Sequence, residues 1–277
     1  MRVLVFDSGL GGLTVFRPVA EMLPQAELIY VADNAAFPYG RWPERKLLKR
    51  LSGLFADLVA TLRPDMAVIA CNTASTIALE PLRQSLPIPL VGTVPAVKVA
   101  AEASRSRMFS VLATPGTVQR VYTHELIERF APDCRVRLVG ARGLAGIAEA
   151  ALRGVEISPD HVRSIIEPAF EEEEGKRTDA IVLACTHYPL LLPQLKEAAP
   201  WPVNFIDPAE AIARQAERVA ARIAIGAPPQ QAPEFYFTAD TDPERRMAAV
   251  LKPWGFGAPK LFPGWDKAQF DKAGIRG

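Results

Sequence analysis

One segment of this chain occurs twice, and the repeat limits what the chain can fold into. DMAVIACNTAS, at Asp65–Ser75, and DAIVLACTHYP, at Asp179–Pro189, both place four mostly apolar residues after an aspartate, then an alanine and a cysteine, and then polar or hydroxyl-bearing residues. A short apolar run bounded in this way is typical of a buried β-strand. The chain is therefore predicted to contain two copies of one strand, each ending at a cysteine.

A weaker repeat precedes each copy. VLVFDSGLGGLTVF, from Val3, and SVLATPGTVQRVY, from Ser110, both run from apolar residues through small and hydroxyl residues into a helical pattern. Longer amphipathic segments, such as Glu44–Leu62, separate the apolar runs. This alternation predicts parallel sheets covered by helices, in which ligands bind at the carboxyl ends of the strands. The predicted strands are Val3–Phe6, Leu28–Ala32, Met66–Ala70, Ser110–Ala113, Arg135–Gly140, Ala180–Ala184 and Val203–Ile206.

The order of these segments predicts two domains, and a chain of 277 residues is long enough for about two. The first crossover is expected near Pro95, and the return near Asp207–Pro208, ahead of a helix at Ala209–Ile225 and an exposed linker at Gly226–Pro233. We therefore expect an α/β protein with two pseudo-symmetric, doubly wound domains. These are residues 1–94 with 208–277 and residues 95–207, with the active site in the cleft between them.

Composition excludes several classes of protein. The formal net charge is +1, so nothing in the overall balance calls for a nucleic acid or an anionic membrane as partner. No apolar run reaches the roughly 18 residues that a membrane-spanning helix needs. Three cysteines are too few for a disulfide framework, and MRVLVFDSG leads directly into a strand pattern rather than a signal peptide. These features favour a cytoplasmic protein with free thiols. The acidic run Glu171–Gly175 is interpreted as the solvated end of a helix.

DSGLGG, at Asp7–Gly12, joins the first predicted strand to a helix. It is similar to a phosphate-binding turn, but Thr14 stands where a dinucleotide fingerprint has its third glycine, and no Gly-Lys-Ser/Thr ending follows. A nucleotide site using Asp33 after the next strand stays open as one alternative. The others are a plain turn capped by Asp7 or Ser8, and a site where Asp7 binds an ammonium group or acts with a proton carrier.

The two cysteine motifs carry the main chemical signal. Cys71 and Cys185 are each placed between a strand end and an expected helix start, where backbone N–H groups and the helix dipole favour a thiolate. His187 could exchange a proton with Cys185. The spacing of a structural zinc cluster is missing, Cys-x-x-Cys is absent, and a single nucleophile would leave one thiol unexplained. Two thiols on opposite faces of one carbon indicate a racemase that needs neither cofactor nor metal, whereas packing alone remains the structural alternative.

Four motifs in this order, FDSGLGGLTV, FPYG, ACNTAS and ACTHYP, resemble those of the cofactor-independent aspartate/glutamate racemase superfamily, and CTHYP resembles the glutamate racemases in particular. The resemblance implies glutamate as the small-molecule substrate, D-glutamate for peptidoglycan as the product, no cofactor, and a homodimer. Racemisation of another acid, of the aspartate or hydantoin type, stays an alternative, as does a non-catalytic amino-acid-binding protein.

The resemblance also implies roles for individual residues. Cys71 would act on D-glutamate and Cys185 on L-glutamate, while three further residues would assist the thiols, namely Asp7, His187 and Glu149. The residues that match the substrate contacts of the family are Asp7, Ser8, Tyr39, Gly40, Asn72, Thr73, Thr114, Thr186 and His187.

Overall fold

The computed structural model describes residues 1–223, 232–240 and 244–265. Its strands are β1 Arg2–Asp7, β2 Glu27–Ala32, β3 Met66–Ile69, β4 Leu90–Gly92, β5 Met108–Ala113, β6 Arg135–Gly140, β7 Glu172–Glu173, β8 Lys176–Arg177, β9 Ala180–Ala184, β10 Asn204–Ile206, β11 Glu234–Phe237 and β12 Lys260–Leu261. Its α-helices are α1 Leu13–Met22, α2 Glu44–Leu62, α3 Asn72–Ser85, α4 Val97–Ala103, α5 Pro115–Val118, α6 Val121–Phe130, α7 Leu144–Leu152, α8 Pro159–Ile166, α9 Leu192–Ala198, α10 Ala209–Ala220 and α11 Glu244–Leu251. Every strand predicted from the sequence is present, with small shifts at the ends.

The strands form two parallel sheets and a short hairpin. One sheet has six strands in the order β12-β11-β2-β1-β3-β4, and the other has four in the order β10-β9-β5-β6. All neighbours in both sheets are parallel. Because parallel neighbours need crossover connections, the helices lie on the sheet faces, as the alternating pattern predicts.

Each sheet is buried on both faces. In the six-stranded sheet, alternate residues of β1 point to opposite sides, so that Val3 and Val5 pack with α1 and α10, while Leu4 and Phe6 pack with α2 and α3. The four-stranded sheet is covered by α7, α8 and α9 on one face and by α4 and α6 on the other. This two-sided burial explains why the strands have continuous apolar sequences, and it makes both sheets doubly wound.

The repeated segment occupies the same place in both sheets. β3 pairs with β1 in the first sheet, as β9 pairs with β5 in the second. The aspartate that opens each copy secures the start of the neighbouring strand: Asp65 accepts a hydrogen bond from the Arg2 N–H at 2.6 Å, and Asp179 accepts one from the Ser106 N–H at 2.8 Å. The aspartates of the repeat therefore have a structural role, and the candidate reactive groups lie at the other end of each copy, at the cysteines.

Three expectations need correction or lie partly outside the description. The acidic run does not end a helix, because Glu172–Glu173 pairs with Lys176–Arg177 as an antiparallel hairpin whose turn contains Gly175 at φ 75°. A positive φ is readily adopted by glycine, so the same residue that suggests a helix end serves a tight turn equally well. The helix from Ala209 ends at Ala220. Residues 224–231 lie outside the described part of the chain, and with them most of the predicted linker.

β4, β11 and β12 were missed by the sequence patterns. They are only two to four residues long and have no clear period. No helix in the described part of the chain is long and apolar enough to cross a membrane.

Candidate active site

The carboxyl ends of the two sheets face each other across a small cavity. Asp7 ends β1, Cys71 follows β3, and Cys185 follows β9. Both cysteines are free and buried, and both line this cavity. The internal repeat therefore places two thiols at matching strand ends, on opposite walls of one site. We call the walls the Cys71 side (Cys71 and Ser8) and the Cys185 side (Cys185, His187 and Glu149).

On the Cys71 side the polar support is weak. Cys71 is the N-cap residue of α3, and its thiol donates to Oγ of Ser8 at 3.7 Å. Burial raises the pKa of the Cys71 thiol, and the negative charge of Asp7 raises it further, against the lowering effects of the Ala74 N–H and of Ser8. The helix N-terminus is thus present, as expected, but burial outweighs it and Cys71 is held as a thiol.

On the Cys185 side the thiol lies beside an imidazole. Nδ1 of His187 is 3.9 Å from Sγ of Cys185, and Nε2 is 3.2 Å from Oε1 of Glu149. Burial by itself would lower the pKa of His187, but the hydrogen bonds to Cys185 and Glu149 raise it well above its ordinary value. The positively charged form of His187 is thus favoured, and it lies next to Cys185.

Glu149 is held in its charged form by several partners. It lies on α7, and its Oε1 accepts a hydrogen bond from the Leu10 N–H at 2.8 Å, while Oε2 accepts one from Arg153 at 3.0 Å. Burial opposes ionisation, yet His187, the Leu10 N–H and Arg153 together lower the pKa of Glu149. Leu10 belongs to the other half of the chain, so this carboxylate also connects the two halves.

The imidazole of His187 has a partner in either protonation state. When Nε2 carries a proton, the proton points to Glu149; when it does not, Nε2 can accept the N–H of Gly11, whose nitrogen is 3.2 Å away. The proton that His187 could exchange with Cys185 is the one on Nδ1, because Nδ1 is the ring nitrogen 3.9 Å from Sγ. The ring can release or take up the Nδ1 proton while Nε2 keeps its hydrogen bond to Glu149, which fits the expectation that His187 exchanges protons with Cys185.

The helix start expected after Cys185 is not there. A 3₁₀ turn at Tyr188–Leu191 follows it, and α9 begins only at Leu192. Pro193 has no N–H and cannot continue an α-helix begun at Tyr188, so the first turn stays separate. The helix-dipole argument therefore holds for Cys71 alone, and the imidazole of His187 supplies the positive charge near Cys185.

Asp7 lies between the two sides and is fully buried. Its Oδ1 accepts the Gly9 N–H at 2.8 Å and its Oδ2 accepts the hydroxyl of Thr186 at 2.9 Å. Burial raises the pKa of Asp7, whereas the charge of His187 and these hydrogen bonds lower it less. Asp7 therefore binds Thr186 of the second repeat directly and acts on Cys71 of the first through its charge, in keeping with the assisting role that the resemblance implies.

The glycines of DSGLGG admit side chains from the other half of the molecule. A Cβ on Gly9 would overlap Oε1 of Glu149, and a Cβ on Gly11 would overlap the ring of His187. Space that a nucleotide phosphate would need is thus occupied by Glu149 and His187. Asp33, the candidate ribose-binding acid, is bound by a buried Arg50 at 2.6 Å and 2.5 Å. The nucleotide alternative is therefore wrong.

Eight of the nine predicted substrate contacts line the cavity; the exception is Asp7, which is fully buried and does not line it. Ser8, Tyr39, Gly40, Asn72, Thr73, Thr114, Thr186 and His187 all line it. The phenol of Tyr39, however, donates to Asp33 at 2.5 Å, so its hydroxyl is engaged in the wall. A Cβ on Gly40 would lie 2.8 Å from Cβ of Thr114. The glycine is needed because the loop and the second half approach this closely.

Asn72 is the clearest sign of a ligand. Its side chain is 2% exposed, and neither its amide nitrogen nor its amide oxygen has a hydrogen-bond partner in the described part of the chain. Buried polar groups are almost always paired, because an unpaired one costs about 1–3 kcal/mol. An amide left free at the cavity wall is available to a polar ligand.

One residue was missed by the sequence patterns. The hydroxyl of Thr117 lies 3.2 Å from that of Thr73 and 3.0 Å from that of Thr114, and Thr73 and Thr114 are 3.0 Å apart. The three hydroxyls form a closed triangle that joins the two halves. Thr114 caps α5 by accepting the Thr117 N–H, so the Thr-x-x-Thr capping pattern could have drawn attention to Thr117.

The inner cavity opens toward a larger one. The inner cavity has a volume of about 20 Å³, and no lysine or arginine of the described residues lines it. The outer cavity measures about 810 Å³, shares Phe37, Pro38, Gly40, Thr114 and Ala145 with the inner one, and carries Arg41, Arg120 and Arg142. Arg120 and Glu44 form an ion pair between the two halves at its rim. The basic residues lie where an anionic substrate would approach.

Comparison with known proteins agrees with this geometry. Residues 13–216 match the family described as Asp/Glu/Hydantoin racemase, and the chain belongs to that family. A glutamate racemase of Brucella canis is 56% identical over 214 residues, which are 77% of either chain.

Solved structures agree as well. The structure of Escherichia coli glutamate racemase in complex with L-glutamate and the activator UDP-MurNAc-ala has a TM-score of 0.87 and 37% identity, and the match covers 94% of this chain and 97% of that one. The glutamate racemase isoform RacE1 from Bacillus anthracis has a TM-score of 0.76 and 25% identity, with coverage of 96% and 98%.

Proposed function

We propose that this chain is a glutamate racemase, which interconverts L- and D-glutamate by proton transfer at the α-carbon without a cofactor. The observation that carries the proposal is the pair of buried thiols, Cys71 and Cys185, which end matching strands and line one cavity. The choice of glutamate as the substrate rests on the relatives that are named glutamate racemase.

The reaction begins with the two thiols in different protonation states. With L-glutamate bound, the thiolate of Cys185 removes the α-proton, so that the Cα–H bond breaks and an S–H bond forms. The electron pair stays on the α-carbon and its carboxylate. The thiol of Cys71 then gives its proton to the opposite face, and D-glutamate results. D-glutamate reacts in the reverse order.

The polar neighbours fit this division of labour. His187, as a cation, stabilises the thiolate of Cys185, and burial holds Cys71 protonated and ready to donate. After one turnover the protonation states of the two thiols are exchanged, so protons must return through groups such as His187 and Asp7. Exclusion of water from the cavity strengthens the electrostatic stabilisation of the carbanion.

Neutral donors bind the substrate carboxylates. The amide of Asn72 is free, and the hydroxyls of Thr73 and Thr114 can turn from their mutual hydrogen bonds toward a carboxylate. This amide and these hydroxyls are the carboxylate-binding groups that the resemblance implies. Asp7 or the Ser8 hydroxyl would take the ammonium group.

The two halves must separate for the substrate to enter. A cavity of about 20 Å³ corresponds to little more than one water molecule, which needs about 10–15 Å³. The outer cavity, with its arginines, is the approach, and the ion pair of Arg120 with Glu44 would break and form again as the halves open and close.

Domain boundaries, setting and assembly belong to the same proposal. One domain consists of residues 1–94 with 208–277, and the other of residues 95–207. In support of these limits, the six-stranded sheet takes its strands from residues 2–92 and 234–261, and the four-stranded sheet takes its strands from residues 108–206. On the resemblance, the enzyme is a cytoplasmic homodimer that supplies D-glutamate for peptidoglycan.

The test is proton NMR of the purified, reduced protein in heavy water, with circular dichroism in parallel, for L-glutamate and then D-glutamate. Loss of the α-proton signal together with decay of optical activity from both enantiomers is expected. Exchange with retained chirality would mean that only one thiol acts. A panel with aspartate in place of glutamate separates the substrates, and the absence of both changes with every acid would refute the racemase.

A further inference from the structure

The wall that Tyr39 and Gly40 contribute to the cavity is fixed by a buried ionic network. Asp33 is fully buried and accepts hydrogen bonds from Arg50 at 2.6 Å and 2.5 Å, from the Tyr39 phenol at 2.5 Å and from the Thr238 hydroxyl at 2.6 Å. A buried carboxylate with this many partners has a strongly preferred geometry, because the loss of any one partner leaves part of its buried charge uncompensated. Tyr39 is therefore tied to the centre of the first half.

The position of Tyr39 sets the position of Gly40. Gly40 follows it directly and approaches Thr114 of the second half so closely that a Cβ would lie 2.8 Å from Cβ of Thr114. Both Gly40 and Thr114 line the inner and the outer cavity. A shift of the Tyr39 phenol would consequently change the wall that closes on the substrate.

The outer side of Arg50 is covered by the C-terminal segment, at Trp265. The Trp265 carbonyl accepts a hydrogen bond from Nη2 of Arg50 at 3.2 Å, and the guanidinium lies 5.2 Å from the centre of the indole ring. The indole N–H donates to Asp57 on α2 at 2.9 Å. One residue thus contacts Arg50 by a hydrogen bond and by a cation–π interaction, which is worth about 0.5–2 kcal/mol.

The helix beneath has a space for this indole. Gly53 lies in the middle of α2, where glycine costs about 0.5–1 kcal/mol relative to alanine. A Cβ there would lie 2.9 Å from Cη2 of Trp265. Phe262, three residues before Trp265, is 3% exposed and packs in the same core as Tyr39 and Cys71. The close approach at Gly53 and the burial of Phe262 show that the segment from Phe262 to Trp265 packs against α2 and the core beside it.

We propose that Trp265 is a positioning residue for substrate binding: it holds Arg50, and through Asp33 and Tyr39 it holds the Gly40 wall of the cavity. The proposal rests on the proposed racemase function for its kinetic readout. It assigns a role to Trp265, which lies in a C-terminal segment none of whose described residues lines the cavity between the thiols.

The test compares Trp265→Ala with Trp254→Ala in the full chain. Trp254 is a matched control, because it also lies in the C-terminal region and also stacks on an arginine, with Arg17 4.3 Å from its ring centre, but it packs on the opposite face of the sheet from Tyr39. For Trp265→Ala we expect KM for both enantiomers to rise about fivefold, the equivalent of ~1 kcal/mol, while kcat changes less than about twofold. Trp254→Ala should leave KM unchanged even if it lowers the Tm equally, and Trp265→Phe should restore most of the affinity.

Hydrogen exchange supplies a readout that does not depend on activity. Amides of residues 34–42 should exchange faster in Trp265→Ala than in the unaltered protein, and no faster in Trp254→Ala. If the unaltered protein fails to racemise glutamate, the proposed function is wrong and exchange alone decides the role of Trp265. Unchanged KM and exchange in Trp265→Ala, or the same changes in Trp254→Ala, would overturn the proposal.

Discussion

The Cys71 side and the Cys185 side of the cavity are built on matching strands, yet their polar neighbours differ. Cys185 lies beside His187. The imidazole of His187 in turn contacts Glu149, and Glu149 accepts a hydrogen bond from Arg153. Cys71 has the Ser8 hydroxyl at 3.7 Å, the Ala74 N–H and the charge of Asp7 nearby. The backbone is duplicated, but the proton-carrying groups are on one side.

This difference suggests how one site can act on both faces of a carbon. A base and an acid are needed at the same moment, so two identical thiols would have no preferred assignment. On one side the charge of an imidazolium can stabilise a thiolate formed in the reaction, whereas on the other side burial and the charge of Asp7 raise the pKa of Cys71. Asp7, shared between them, can follow the proton as the roles exchange.

The largest effect on activity is expected when either thiol is removed. Cys71→Ser and Cys185→Ser should each lower kcat/KM about 10³-fold or more in both directions, because each turnover uses both proton transfers. Cys134→Ser is the control, since Cys134 is only partly buried and lies outside the cavity. Racemisation followed by circular dichroism decides: a serine variant that retains full activity would contradict the two-thiol mechanism.

The next test compares the supports of the two thiols. His187→Asn should cost about 10²-fold in kcat/KM, whereas Ser8→Ala should cost ~threefold, the equivalent of one weak hydrogen bond of about 0.5–1 kcal/mol. Since the enantiomers have equal free energies, kcat/KM must fall equally in both directions. The side affected is revealed by glutamate deuterated at Cα: for His187→Asn, the isotope effect should grow for the L enantiomer. Equal losses in the two variants would mean that the sides are equivalent.

A smaller effect is expected from Glu149→Gln, and it concerns pH. The Glu149 carboxylate raises the pKa of His187, so without its charge burial lowers that pKa again and the imidazolium is lost at a lower pH. The alkaline limb of the kcat profile should therefore shift to lower pH, as a pH series of racemisation rates would show. A profile that keeps its alkaline limb in Glu149→Gln would assign that limb to another group.

The smallest effect is expected on the helix that carries Glu149. Gly146 lies in α7, and a Cβ added there would meet no heavy atom within 4 Å, in contrast to Gly11, where a Cβ would overlap His187. Gly146→Ala should raise the free energy of unfolding by about 0.5–1 kcal/mol with activity unchanged. Gly11→Ala should lose activity as His187→Asn does. Denaturant unfolding measures the stability of the two variants, and the racemisation assay measures their activity. A loss of activity in Gly146→Ala would show that the reaction needs the backbone freedom of the glycine in α7.

Much of the fold could be predicted because the decisive signals are local. The apolar strands and α2, predicted and found at Glu44–Leu62, follow from hydrophobic periodicity, which depends on neighbours along the chain. The short strands β4, β11 and β12 have little pattern of their own and pair only because the sheet edge is available. The acidic hairpin was misread because a glycine after charged residues suits a helix end and a turn alike.

The residues of the site were predictable in kind, but their partners were not. The sequence by itself determined that two cysteines end matching strands and that a histidine shares the second motif, since these are properties of spacing. Only the tertiary structure decided that Glu149, distant in sequence, accepts the Leu10 N–H and contacts His187. The same holds for the ion pair of Asp33 with Arg50 and for the contact of Thr117 with Thr73. Such contacts depend on how the two halves meet. The same is true of the burial that raises the pKa of Cys71 and of Asp7, and of the hydrogen bonds that raise the pKa of His187.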